Sequence, residues 1–125
     1  MQRILLVLLG GACGTGLRYF FSLGIYSFVK EPRFPYANLC VNVSGSFAIG
    51  LLGELFETRF LVSPAVRVAL LTGVLGGYTT FSSFAFETFS LLRDGETGLA
   101  FVNASSSILL GLVAVWAGIR IAQLL

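Results

Sequence analysis

Four apolar stretches of bilayer length, separated by short polar breaks, take up almost the whole chain. They cover roughly residues 4–28, 38–60, 65–92 and 99–124. A helix needs about 20 such residues to cross the hydrocarbon core. Backbone groups in lipid must be satisfied internally, which leaves helices or closed barrels. These runs are too long and too continuous for strands, so the expected fold is all-α: one transmembrane domain over 1–125 with four spans. The connections Lys30–Pro35, Thr58–Pro64 and Asp94–Gly98 are short. Pro32 and Pro35 break helix, and Ser63-Pro64 reads as a helix start. Short connections predict antiparallel neighbours with both termini on one side. The opening Met1-Gln2-Arg3 and its apolar run imitate a signal peptide. No small-x-small cleavage site ends a short apolar core and the run continues past Arg18, so a retained first helix is expected.

Only 11% of the residues are charged and 56% are hydrophobic, whereas a soluble domain carries about 25% charged residues. No soluble part remains to house an active site, and the chain is not read as an enzyme. Histidine is absent, which removes the commonest metal ligand and general base. The net charge of +2 is too small and scattered for a nucleic-acid partner. Cys13 and Cys40 show neither CxxC spacing nor a disulfide framework and read as buried, inert thiols. Gly11-x-x-Gly14-x-Gly16 imitates a dinucleotide-binding turn but lacks a βαβ context. The sequons at Asn42 and Asn103 fall inside spans, where glycosylation is not expected.

Arg3, Arg59, Arg67 and Arg120 fall on the terminal side of the membrane; Lys30, Arg33 and Arg93 fall on the other. So even a split barely biases insertion. Either something else sets the orientation, or the chain inserts both ways and two copies pair antiparallel. Small residues recur four apart at Gly10/Gly14, Ser46/Gly50, Gly73/Gly77, Ser107/Gly111 and Ala114/Gly118. Each pair makes a shallow groove that lets helix backbones approach. Because four spans enclose little interior, grooves on all of them point to an oligomer.

The third stretch contains Thr72-Gly73-Val74-Leu75-Gly76-Gly77-Tyr78-Thr79-Thr80-Phe81-Ser82-Ser83-Phe84. Paired glycines, threonines and serines suit a lipid-facing helix poorly. They predict a break at Gly76-Gly77, tolerated only where protein or a wet path covers it. Intramembrane polar residues are functional candidates by default. Arg18 serves either as an anchor on helix-end carbonyls or to attract an anion. Asn42 can donate two hydrogen bonds, which suits an anion or interhelical bonding equally, and Ser44 stands beside it. Phe81, Phe84 and Glu87 are three apart on one helix face. The rings are either packing or, among Thr79, Thr80, Ser82 and Ser83, edges that an anion can approach. Such weak donors would hold an anion loosely enough to let it leave. Asn103 and Ser107, one turn apart in the fourth stretch, either continue a polar track or bond helices together. The whole reads as a small transport protein.

These residues carry a resemblance to the CrcB/Fluc fluoride channels over the full length. The matching pieces are Gly11-Ala12 ahead of Arg18-Tyr19, Val41-Asn42 with Gly45-Ser46-Phe47, and the tract Thr72 to Phe84. The resemblance implies an antiparallel, dual-topology homodimer in a bacterial or archaeal cytoplasmic membrane, exporting fluoride passively through two pores built from both subunits. It further implies a pore lined by Phe81 and Phe84 with Asn42, Ser83, Glu87, Asn103 and Ser107 along the path. Gly76 and Thr79 match positions whose carbonyls would hold a central, structural sodium ion, and Arg18 falls on a position the family typically carries. Asn38 stands where the family often has Thr, Ser83 where Thr is frequent, and Asn103 where some members have Tyr. The alternatives are a small multidrug-type exporter, which would want a glutamate rather than Arg18 in its first span, and a non-transporting membrane scaffold, which would need no broken third helix.

Overall fold

The computed structural model describes residues 1–30 and 32–125, so Glu31 of the first connection lies outside the described residues. Helix α1 is Gln2–Phe28 and α2 is Tyr36–Thr58, entered directly after Pro35. Helix α3 starts as Pro64–Val68, widens to π geometry over Ala69–Leu75 and closes with the turn Gly76–Tyr78. Helix α4 is Phe81–Arg93 and α5 is Thr97–Leu124. With α3 and α4 together as one broken span, Pro64–Arg93, four helical segments are long and apolar enough to cross a membrane. This is the expected all-α architecture with a broken third span, and the protein is a multi-pass membrane protein. The observed helices start one to two residues before the expected ones because Pro35 and Ser63 set their starts: Pro64 occupies the first turn, and Ser63 Oγ accepts from Val66 N–H at 3.3 Å. The α4–α5 turn is closed by Gly95 at φ +80°, a left-handed conformation that glycine adopts without steric cost.

Packing joins alternate spans. Gly10 and Gly14 of α1 lie on the backbone of Ala69, Gly73, Val74 and Tyr78, and Gly77 lies on Gly11. Likewise Gly50 meets Val115, Gly118 meets Phe47 and Leu51, and Gly111 meets Ser46. In both sets the residue numbers rise together, so α1 runs parallel to α3 and α2 runs parallel to α5. Short loops do not make sequence neighbours the closest packers here; the grooves choose the partners. That also corrects the inference from grooves to oligomer. The small residues are consumed inside the protomer, where backbone-to-backbone contact replaces the solvent-exclusion drive that lipid does not supply. Cys13 and Cys40, expected to be buried, are free thiols on the protomer's outer surface, since the packed face of α1 is the Gly10/Gly14 face.

The break does not fall at Gly76-Gly77. Both glycines are helical, and the chain turns extended at Thr79 (φ −82°, ψ 158°) and Thr80 (φ −152°, ψ 120°). Gly77 serves close approach instead: a Cβ there would sit 2.5 Å from the Gly11 carbonyl oxygen. The second half-helix then restarts on Thr80, whose Oγ1 accepts from Ser83 N–H at 3.4 Å.

Candidate functional site

The break is held from α2. Asn42 Oδ1 accepts from Thr80 N–H at 2.9 Å, and Asn42 Nδ2 donates to the Thr80 carbonyl at 3.1 Å. In an unbroken helix the Thr80 N–H would return to the Gly76 carbonyl, four residues back. Turned to Asn42, it leaves that carbonyl without its helical partner. Thr79 N–H still reaches Leu75 O at 3.0 Å, so the helix is intact up to this point. Neither amide proton of Asn42 is spare, because Nδ2 also donates to Asn38 Oδ1 at 3.2 Å.

Two cavities meet at the break, and Thr80 lines both. The larger, about 410 Å³, is walled by Asn42, Phe81, Phe84 and Ser107, with Gly76 and Thr79 at its edge. The Phe81 and Phe84 ring centroids are 5.6 Å apart with planes tilted by 50°. Phe81 is 78% exposed in the single protomer, so its ring is not core packing. Ser107 Oγ is buried and has no hydrogen-bond partner among the described residues. A hydroxyl left so costs about 1–3 kcal/mol.

The smaller cavity, about 310 Å³, is more polar and gathers Arg18, Ser83, Glu87, Asn38 and Tyr26. Glu87 Oε2 accepts from Asn38 Nδ2 at 2.7 Å. The two ion pairs among the described residues, Arg67–Glu57 and Arg93–Asp94, lie elsewhere, so Arg18 and Glu87 share this space without forming one. Ser83 Oγ accepts from Thr80 Oγ1 at 3.2 Å.

The structure therefore divides the residues singled out from the sequence. Asn42, Phe81, Phe84, Ser107, Gly76 and Thr79 come together in one cavity; Arg18, Ser83 and Glu87 come together in the other. Asn103 joins neither. It is 2% exposed and donates to Thr88 Oγ1 at 2.8 Å, which itself bonds the Phe84 carbonyl at 2.7 Å. Asn103 thus ties α5 to α4 behind the phenylalanines. Ser44 likewise bonds Tyr78 OH at 2.9 Å and acts between helices. Sequence reading missed Thr88 and gave Asn38 no task. The spacing Asn38/Asn42, one helical turn, was the available signal for a shared face.

Comparison with known proteins agrees with this architecture. The family model described as CrcB-like protein, Camphor Resistance (CrcB), matches residues 5–119. A protein of Geotalea daltonii named fluoride-specific ion channel FluC is 46% identical over 123 residues, covering 98% of each chain. A namesake from Rhizobium meliloti is 47% identical over 124 residues, covering 97% of this chain and 96% of its own. Another, from a Geobacter species, is 43% identical over 125 residues and covers the whole of both chains. With four membrane-length helices, a third span broken in its polar tract and relatives matched from end to end, the chain belongs to the CrcB-like protein family.

Proposed function

We propose that this protein is a fluoride-selective channel, not an enzyme, that lets fluoride leave the cell passively across the cytoplasmic membrane. It would work as an antiparallel homodimer of single-domain subunits, with a structural sodium ion between them. The observation that carries the choice of ion is the likeness, over nearly the whole chain, to proteins named fluoride-specific ion channels. The geometry supports the route. The larger cavity offers two phenylalanine rings to a small anion, and the unpartnered Ser107 hydroxyl lies buried in its wall. A ring edge carries partial positive charge and a serine hydroxyl donates one hydrogen bond. Together they replace part of the ion's hydration without holding it tightly, as conduction requires. Arg18, Ser83 and Glu87 line the polar cavity on the other side of Thr80, and Arg18 would draw the anion in.

The residues around the break fit a sodium ion. The Gly76 carbonyl has lost its helical partner to the Asn42–Thr80 bond, and outside its own turn of helix no atom of the described residues lies within 4 Å of where a Gly76 side chain would stand. Backbone carbonyls are hard oxygen donors suited to a hard cation. Gly76 and Thr79 would therefore hold sodium through their carbonyls, and the ion would supply a fixed positive charge at the centre of the assembly.

Liposomes holding only the purified protein should release loaded fluoride at a clamped potential without any proton gradient, and chloride should pass far more slowly. Equal chloride flux, or efflux that demands protons, would refute the channel. Replacing sodium on both sides by a large organic cation should slow or stop the flux. Net fluoride movement that follows a sodium gradient would instead make sodium a coupled ion.

The balanced basic residues lead to a second expectation. A topology reporter fused after Leu125 should show both orientations. Each basic residue near the membrane surface is worth about 1 kcal/mol, so two or three lysines added to one connection should bias them. A single orientation in the unaltered chain would rule out the antiparallel pair.

A further inference from the structure

Three hydrogen bonds run head to tail from the break to the wall of the polar cavity. Thr80 N–H donates to Asn42 Oδ1 (2.9 Å), Asn42 Nδ2 donates to Asn38 Oδ1 (3.2 Å), and Asn38 Nδ2 donates to Glu87 Oε2 (2.7 Å). An asparagine amide presents an acceptor on one side and a donor on the other, so turning it over reverses what its neighbours meet. Both ends of this row dictate the same sense independently. A backbone N–H only donates, so Asn42 must show its oxygen to Thr80. A carboxylate only accepts, so Asn38 must show its NH2 to Glu87. The two asparagines then meet as donor to acceptor with no mismatch. The row also spans two elements: Asn38 and Asn42 stand one turn apart on α2, while Thr80 and Glu87 flank the first turns of α4.

Removing the acceptor at Glu87 leaves Asn38 held in this sense by Asn42 Nδ2 alone, so that it can turn over at the cost of one bond. Its NH2 would then oppose the NH2 of Asn42, and that clash would weaken the two bonds by which Asn42 holds Thr80, through Oδ1 and Nδ2. We propose that Asn38 and Glu87 are positioning residues that lock the polarity of the Asn42 amide, which in turn keeps the Thr79–Thr80 break open and the Gly76 carbonyl out of the helix. Asn42 has both amide protons committed inside the protomer. The consequence for sodium rests on the reading given under Proposed function; the local consequence at Thr80 does not.

The test uses the reconstituted full chain and follows two quantities: hydrogen exchange at the Thr80 amide, and the sodium concentration that gives half-maximal fluoride efflux. Asn38→Leu removes both side-chain bonds at similar volume, and Glu87→Ala removes only the terminal acceptor. Each should speed Thr80 exchange by roughly fivefold to tenfold, the factor for one lost hydrogen bond, and raise the half-saturating sodium concentration by a similar factor. Glu87→Gln, whose Oε1 can still accept from Asn38, should restore both quantities. Unchanged Thr80 exchange in Asn38→Leu and Glu87→Ala overturns the relay. An equal acceleration at Val115, in the distant α2–α5 contact, would mark general loosening and also overturn it. Flux lowered equally at every sodium concentration would assign these residues to the ion path instead. Should unaltered protein conduct without regard to sodium, the sodium reading falls, and Thr80 exchange alone still decides whether the relay exists. Glu87→Ala keeps the test open if Asn38→Leu does not fold.

Discussion

Phe81→Ile and Phe84→Ile should each cut fluoride flux by roughly twofold to tenfold, while the protein still assembles and elutes as the wild type does. Aliphatic replacements of similar volume in a packed core usually cost less than ~1.5 kcal/mol. Stability alone would therefore leave transport nearly intact. What isoleucine lacks is the positive ring edge. Edge interactions of aromatic rings are worth about 0.5–1.5 kcal/mol, and each ~1.4 kcal/mol added to a barrier is tenfold in rate. The position of Phe81, largely exposed in the protomer and lining the cavity with Ser107, argues against simple filling. Phe→Tyr or Phe→Met, which keep an edge or a polarisable group, should be better tolerated at one or both sites. The measurement is fluoride efflux per reconstituted protein, with size-exclusion profiles as the control for folding. Wild-type flux from a well-folded double isoleucine variant would place the pore elsewhere.

Gly14→Ala should destabilise the protein by about 3 kcal/mol and sharply lower the yield of monodisperse material. A single Cβ at this position runs into the Val74 carbonyl oxygen and stands 2.9 Å from Tyr78 N. Those are backbone atoms, which cannot swing aside as a side-chain tip can, so α1 and α3 would have to separate. Gly77→Ala should behave alike, its Cβ falling 2.5 Å from the Gly11 carbonyl oxygen. Gly16→Ala and Gly24→Ala are the controls. Outside α1's own backbone, nothing among the described residues lies within 4 Å of either added carbon, and alanine is the better helix former by about 0.8–1.0 kcal/mol. Thermal unfolding in detergent separates the two classes. If Gly14→Ala and Gly16→Ala melt together, the backbones of α1 and α3 do not touch at Gly14.

The site was only partly legible in the chain. Phe81 and Phe84 sit in a polar tract unusual enough to draw notice, Asn42 stood out as a polar residue inside the second span, and the cavity brings all three together with Ser107. The expected continuity of Asn103 with Ser107 did not follow from their one-turn spacing. The α5 face that carries Asn103 turns inward onto Thr88, and Ser107 opens onto the cavity. Residues one turn apart share a face only approximately, so that one meets Thr88 while the other lines the cavity. The role of Asn38 was missed because an intramembrane asparagine has many possible partners, and Glu87 lies 49 positions away.

Length and hydropathy determined the four spans and the all-α fold, because backbone satisfaction in lipid is a requirement each segment must meet on its own. The polar tract alone announced that the third span would break. Where it breaks was a tertiary decision. Glycine's conformational freedom serves a break and a close helix contact equally well, and Gly77 is taken by its contact with Gly11. The break moved to Thr80, whose N–H finds an acceptor on a side chain 38 positions earlier. Which helices pair was likewise settled only in three dimensions. A groove of small residues specifies how near another backbone can come, not which one, and the matching of Gly10/Gly14 with Gly73/Gly77, and of Gly50 with Val115 and Gly118 with Phe47, exists only once all the spans are folded together.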